Sequence, residues 1–413
     1  MKILHTADWH LGQRFHDKDR FEEHQSFLDW LLEVIVQENI DLLIVAGDIF
    51  DSGTPPSKSI EQYHTFLGNL FERQKCEVVI IGGNHDAPHT LSASKDVLKH
   101  LKVHIVGAAP NQIEEEIIEV KNGQELIGVV CAVPFLRDKD IHYSKVNFAQ
   151  EARETCIVEG IVKHYQDLAN ILSTRNYPHQ LPIIATGHLF VQGYSNEEYI
   201  QEAEKKIYMG NLGSVSVDAF PEIFDYVALG HLHRSQLLGK RKNIAYAGSP
   251  IPLSFSERSY AKSLNIVHFK GDKSLFIERL EVPSFIYKNL VRFEGSFEEV
   301  KRDIENYYPD KITWAEYRIL LENPYPYVKE EIEAIIAQKE NLEILRTSIV
   351  LRSDKKDDNN DEAINNIKEL APEDVFLSKC QKDGVPDEEI RTHLMPLFWQ
   401  VLEELEETGN TNQ

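Results

Sequence analysis

Glu77-Val78-Val79-Ile80-Ile81-Gly82, followed directly by Gly83-Asn84-His85-Asp86, is the stretch that decides the fold. Its first half is an apolar run that reads as a buried strand. The tetrapeptide therefore sits on a loop at a strand's C-terminal end, where open α/β sheets place their ligand sites. Alone, Gly-Asn-His-Asp is also a good turn. Four other loops give it weight, each following an apolar run and each carrying Asp or His. They are Asp8-Trp9-His10, Gly47-Asp48-Ile49-Phe50-Asp51, Gly187-His188 and Gly230-His231-Leu232-His233.

Working outward, residues 1–110 alternate strand and helix patterns. Ile3–Thr6, Asp41–Ala46, Val78–Ile81 and Val103–Val106 read as strands. Phe21–Gln37 carries a helical stripe through Phe27, Leu28, Leu31, Leu32, Ile35 and Val36. Pro55-Pro56-Ser57 opens a second helix that runs to Arg73, with Ser57 as its expected cap, and Ser92–Leu101 reads as a third. Such a βαβαβ series predicts a parallel sheet with right-handed crossovers.

Strand patterns dominate thereafter. Ile117–Val120 and Leu126–Val133 flank a hairpin signal at Lys121-Asn122-Gly123. A long helix is expected over Ala149–Leu172. Strands are expected over Leu181–Thr186, Tyr226–Leu229, Ile244–Ala247, Ser263–Phe269 and Ser274–Leu280. Residues 1–282 thus read as an α/β domain, a sandwich of two mixed sheets flanked by helices. Residues 283–352 read as a small α+β domain and the charge run at 353–361 as a solvated linker. Residues 362–413 read as a helical segment with an apolar stripe through Leu394, Leu397, Phe398, Val401, Leu402 and Leu405. That stripe either folds back on the main body or docks a partner.

Composition narrows the class. The chain has 413 residues, 42% hydrophobic and 27% charged, as in an ordinary soluble protein. No apolar run approaches the ~20 residues of a membrane helix. The N-terminus enters a strand at once, leaving no room for a signal peptide. Cys76, Cys131, Cys156 and Cys380 are far apart with no CxxC pair, which argues against a disulfide framework and fits a cytoplasmic location. Against 44 Lys and Arg stand 67 Asp and Glu, a formal net charge of -23. A protein that grips nucleic acid over a broad basic face has the opposite balance. Nucleic-acid binding would need local patches, bound metal, dimerisation or a basic partner. Arg14, Lys18 and Arg20 follow the first loop, and Arg234, Lys240, Arg241 and Lys242 the last. They either flank a substrate path or are ordinary surface charge.

The five loops offer seven candidate metal ligands: Asp8, His10, Asp48, Asn84, His188, His231 and His233. Asp8 and His10 lie two apart in an expected extended segment, so both side chains can point one way, as can His231 and His233. Carboxylate with imidazole suits Mn, Fe or Zn better than Ca. One ion takes four to six ligands, so the number favours two, with Asp48 able to bridge. Two ions ~3.5–4 Å apart clamp the attacking and leaving oxygens of phosphoryl chemistry. His85 is left over and suits a general acid on the leaving oxygen. Asp86 either orients His85 or caps the following helix. Asp51 supports a ligand rather than being one, and Phe50 packs. The histidines outside the five loops need no catalytic role.

The order Asp-x-His, Gly-Asp-x-x-Asp, Gly-Asn-His-Asp, Gly-His, Gly-His-x-His resembles the calcineurin-like metallophosphoesterase superfamily. Thr6-Ala7-Asp8-Trp9-His10-Leu11-Gly12 and Tyr246-Ala247-Gly248-Ser249-Pro250 are similar to its SbcD-type branch, the nuclease subunits of bacterial SbcCD complexes. The resemblance implies a two-manganese site, with Mg or another divalent metal as substitute. Asp8, His10, Asp48 and His233 would hold one ion and Asp48, Asn84, His188 and His231 the other, with His85 as the non-ligand catalytic histidine. It further implies a metal-dependent DNA exonuclease and endonuclease acting on double-strand ends, single strands and hairpins in repair, recombination and replication. Residues 283–352 would be a capping domain. An SbcC-type coiled-coil ATPase would dock on the C-terminal helices. A homodimer would form through the helices at 57–73 and 92–101, with Phe66, Leu67, Leu70 and Phe71 either contacts between copies or simply core.

Two alternatives share the scaffold. One is a cytoplasmic phosphatase or cyclic-nucleotide phosphodiesterase, since fold and metal site do not set the substrate. The capping domain and tail weigh against it. The other is a non-catalytic scaffold for the ATPase, against which the complete ligand set weighs.

Overall fold

Lys2-Ile3-Leu4-His5-Thr6 forms strand β1, and its side chains alternate: Ile3 faces a second sheet, Leu4 a layer of helices. The computed structural model describes residues 1–74, 76–141, 150–192, 215–240 and 242–351. After β1 come a short hairpin, β2 (Arg14–Phe15) and β3 (Lys18–Asp19), then β4 (Leu42–Ala46), β5 (Glu77–Ile81) and β6 (Val103–Val106). The chain continues through β7 (Ile117–Asn122), β8 (Glu125–Cys131), β9 (Ile183–His188), β10 (Val191–Gln192), β11 (Val215–Ser216) and β12 (Tyr226–Gly230). Next are β13 (Gln236–Leu238), β14 (Ile244–Tyr246), β15 (Ser263–Phe269) and β16 (Leu275–Glu281).

Two six-stranded sheets result, ordered β16-β15-β1-β4-β5-β6 and β13-β14-β12-β9-β8-β7. In the first, β1, β4, β5 and β6 are parallel, while β15 runs antiparallel to β1 and β16 to β15. In the second, β8, β9, β12 and β14 are parallel, with antiparallel edges at β7 and β13. The sheets face each other across Ile3, Leu42, Ile44, Val79 and Ile81 on one side and Val130, Ile184, Tyr226 and Ala228 on the other. Helices Phe21–Gln37 and Ser57–Arg73 cover the outer face of the first sheet through Phe27, Leu31, Ile35, Phe66, Leu67 and Leu70. Helix Gln150–Thr174 covers the second through Ile157, Ile161 and Leu168. This is the expected two-sheet α/β sandwich. Parallel strands point their C-terminal ends to one edge, and both sheets contribute loops there.

Two local expectations change, and one open choice closes. Ser57 is the first helical residue; Pro56 is the cap position and makes no side-chain cap bond. The segment expected as one helix over Ser92–Leu101 is broken into Pro88–Ser92, Lys95–Leu98 and a 3-10 turn at Lys99–Leu101. Phe66, Leu67 and Leu70 are buried in the chain's own core, so they are not candidates for a contact between copies.

β17 (Asn289–Ser296), β18 (Thr313–Leu321) and β19 (Leu342–Leu351) form a three-stranded sheet, accompanied by helices Phe297–Glu305 and Val328–Ile336. Ser296 and Glu299 close a reciprocal capping box on the first of these helices. Residues Met1–Arg318 and Tyr327–Thr347 make one compact unit. Within it, Phe15 stacks on Trp314 with ring centroids 5.3 Å apart and meets Phe255 edge-on at 5.0 Å. The second unit comprises Ile319–Pro326 and Ser348–Gln413, of which 319–326 and 348–351 are described. The expected linker and C-terminal helices lie outside the described residues. Among the described residues, no helix is long and apolar enough to cross a membrane.

Candidate metal centre

All seven candidate ligands gather where the two sheets present their C-terminal loops. Asp8 and His10 follow β1. Their amides bond to Gly47 O and Asp48 O, both at 3.0 Å, so the first two loops are zipped together. Neither segment is extended as the sequence suggested. Asp8, His10, Asp48 and His231 have φ of 52°, 45°, 50° and 96°. Left-handed backbone at non-glycine residues costs on the order of 1–3 kcal/mol each and persists only where the surroundings enforce it. Here the sharp turns, rather than strand alternation, bring Asp8 together with His10 and aim His231.

Two subclusters share Asp8, and a third, of His10, Asp51 and His85, adjoins them through His10. On one side, Asp8, His10 and His233 present ligand atoms within 4.8 Å of one another, and on the other Asp8, Asp48 and His188 do so. Asp48 Oδ2 is 3.6 Å from His10 Nε2 and 3.2 Å from His188 Nε2, placing it between the two. Asn84 Oδ1 accepts from His188 Nε2 at 3.0 Å and from His231 Nδ1 at 3.1 Å. Gly47 makes room for this packing: at φ 91°, an added Cβ would lie 2.2 Å from His188 Nδ1.

The imidazoles are steered from behind. His188 Nδ1 donates to Ala46 O at 2.9 Å, His10 Nδ1 to Asp51 Oδ1 at 3.2 Å, and His233 Nδ1 to Glu257 Oε1 at 3.1 Å. Metal-binding histidines commonly donate their second ring N–H in this way. Asp86 takes neither of the roles the sequence left open. Its carboxylate accepts from the amides of Ile49, Phe50 and Gly83, at 3.1, 3.0 and 2.9 Å, and so ties the second loop to the third. His85 is exposed, its ring 4.9 Å from that of His10.

Electrostatics and unmet valence fit a divalent metal. Burial pushes the Asp8 carboxyl up from the usual carboxylate range, against the pull of His188 and His233. Burial acts likewise on Asp48, but His188, His10 and His85 outweigh it and hold that carboxyl far below the usual range. Two wholly buried atoms, Asp8 Oδ2 and His10 Nε2, have no hydrogen-bond partner, which a cation would supply. Carboxylates, imidazoles and one amide oxygen make a donor set for a first-row divalent ion.

The three basic residues after the first loop are engaged elsewhere. Arg20 is buried in a bidentate pair with Glu23 and also donates to Gln13 Oε1 and Pro252 O. Arg14 pairs with Asp19 and Lys18 with Glu343; Arg241 lies outside the described residues. Sequence reading missed Glu257 and Lys262 altogether. They follow the last motif with no spacing signal and reach it only through the fold. Residues Tyr246–Pro250 have a visible task, since Ser249 Oγ accepts from Lys262 Nζ at 2.8 Å beside the His233 loop.

Residues 1–235 match the family described as calcineurin-like phosphoesterase, and residues 286–383 match the one described as type 5 capsule protein repressor C-terminal domain. Among curated relatives, the SbcD subunit of the nuclease SbcCD from Escherichia coli K12 is 33% identical over 416 residues, covering 98% of each chain. The protein of the same name from Bacillus subtilis 168 is 33% identical over 286 residues, covering 68% of this chain and 69% of its own.

Proposed function

The chain belongs to the calcineurin-like phosphoesterase family, and within it to the SbcD nuclease family, and on that premise we propose that it is a manganese-dependent DNA nuclease. It hydrolyses phosphodiester bonds at double-strand ends and in single strands and hairpins, in repair and recombination. Seven candidate ligands brought together from five loops, with Asp8 Oδ2 and His10 Nε2 buried and unpartnered among them, carry this reading.

Asp8, His10, Asp48 and His233 would hold one ion and Asp48, Asn84, His188 and His231 a second. Divalent cations there supply Lewis acidity to the phosphate and acidify water. The chain's own groups do the rest. His10, His188 and His233 are held by their Nδ1 hydrogens, which makes Nε2 their ligand atom. Asp86 keeps the Asp48 and Asn84 loops in register. His85 donates through Nδ1 to Asp51 O at 2.9 Å, so in the imidazolium form the second proton sits on Nε2, which passes it to the leaving oxygen and leaves the neutral Nδ1–H ring.

In this reading residues 1–282 are the nuclease domain, 283–352 a capping domain and 353–361 a linker. Residues 362–413 dock an SbcC-type ATPase. That partner would carry most of the DNA-binding surface, which accommodates a formal charge of -23. A homodimer through the nuclease domain and a cytoplasmic site of action complete the proposal.

The test gives the purified chain Mn²⁺ with single-stranded circular DNA, duplex ends and p-nitrophenyl phosphate in parallel, with Asp48→Ala as control. DNA cleavage lost in the control is expected. Monoester turnover without DNA cleavage would move the assignment to a phosphatase. Inactivity on all three, persisting after the ATPase is added, would leave a scaffold.

A further inference from the structure

Beyond the seven ligands, the fold buries an ion pair behind His233. Glu257 and Lys262 are 1% and 2% exposed. Both follow the last histidine motif, Glu257 on the turn Phe255–Ser259 and Lys262 immediately before β15. Lys262 Nζ has three hydrogens and three acceptors: Glu257 Oε2, Ser249 Oγ at 2.8 Å and His233 O at 3.2 Å. Glu257 Oε2 also accepts from Leu253 N at 3.2 Å and Ser249 Oγ at 3.3 Å, and Oε1 from Ser254 Oγ at 3.3 Å. The carboxylate's contact with the metal cluster is His233 Nδ1 at 3.1 Å.

A buried pair of this kind is a poor way to gain stability. Replacing it with packed apolar side chains is often neutral or better, because desolvating two charges offsets their attraction. Its geometry serves something else. Lys262 fixes the Glu257 carboxylate from one side and the His233 main chain from the other, so ring and backbone of the same residue are set by one ammonium. A carboxylate acceptor makes Nδ1 the protonated nitrogen of a neutral His233 and Nε2 its ligand atom. Lys262 balances the charge that the carboxylate brings behind the ring.

We propose that Glu257, braced by Lys262, is a positioning residue that sets the ring orientation and tautomer of His233 and thereby the affinity of the metal position formed with Asp8 and His10. This rests on the reading of His233 as a ligand.

The experiment uses the full chain and Mn²⁺ alone, following free Mn²⁺ by electron paramagnetic resonance, with thermal melts of the metal-free proteins alongside. Native protein should bind two ions. Glu257→Ala should weaken one of them about 10–100-fold, the usual effect of removing such a partner, and leave the other within about twofold of native. Glu257→Gln keeps an acceptor for Nδ1–H and, combined with Lys262→Met, removes both charges at similar volume. This double variant should fold and bind the affected ion at an affinity between those of native protein and Glu257→Ala. Two ions bound at native affinity by a folded Glu257→Ala would overturn the proposal. Should that variant not fold, native affinity for both ions in the double variant would overturn the role of the charged pair. Failure of the native chain to bind Mn²⁺ would instead strike the underlying metal reading.

Discussion

His85 donates its Nδ1 hydrogen to the main-chain carbonyl of Asp51 at 2.9 Å, while Asp51's own carboxylate accepts from His10 Nδ1 at 3.2 Å. One residue thus steers a candidate ligand with its side chain and the candidate acid with its backbone. The arrangement couples the two imidazoles without giving His85 Nδ1 to a metal.

Replacing His85 by Ala should leave Mn²⁺ stoichiometry unchanged and slow strand cleavage ~10²–10⁴-fold, the usual contribution of a positioned general acid. Cleavage assays and metal analysis on the same preparation decide it. A variant that loses manganese together with activity would make His85 a ligand.

Asp86→Asn should destabilise the metal-free protein by about 1–3 kcal/mol in urea melts. The two carboxylate oxygens accept three buried amide hydrogens, and an amide side chain turns a donor towards at least one of them. An unchanged midpoint and slope would contradict the clamp. Because the residue lies behind the cluster, weaker metal binding should accompany the loss.

Metal binding should release protons. Burial would lower the His188 pKa, but Asp48 and Asp8 raise it from 6.5 to about 9. This raised value contributes stability to the metal-free fold below pH 6.5, and the contribution is lost as pH rises through 9. A metal needs the neutral ring. Calorimetric titration with Mn²⁺ at pH 7.5, in buffers of different ionisation enthalpy, should therefore report about one proton released through this residue, with affinity rising towards pH 9. Identical heats in all buffers would exclude a protonated His188.

Ending the chain after residue 355 should preserve metal-dependent cleavage and abolish copurification with an SbcC-type ATPase. Both are measured on one pair of purified chains. A shortened protein that still brings down the ATPase would place the docking surface elsewhere.

The ligand loops were legible because each motif follows a run such as Leu42–Ala46 or Glu77–Ile81, whose burial on both faces marks a central parallel strand. The two-sheet sandwich followed from the same runs. Other features depend on tertiary context that spacing does not carry. Glu257 touches His233 only because β14 and β15 return the chain to the site, and nothing in Phe255–Ser259 marks an acid as buried. Asp86 looked like a helix cap because it precedes Pro88, yet three amide hydrogens from two loops claim it. Phe66, Leu67 and Leu70 share one helical face, which fits a contact between copies as well as a core; packing against the first sheet makes it core. Arg20 looked like surface charge until Glu23 and Pro252 O enclosed it.

Strand β15 lies between β1 and β16, pairing Lys2 with His268 and Ile3 with Val267. The strand that launches Asp8 and His10 therefore gains its second neighbour only when residues 263–269 exist. During synthesis every shorter chain lacks this seam, and chains ending before residue 257 also lack the brace on His233. The sheet that carries the first ligand loop is thus closed only after the last ligand loop has been made, so the candidate site is completed late in synthesis.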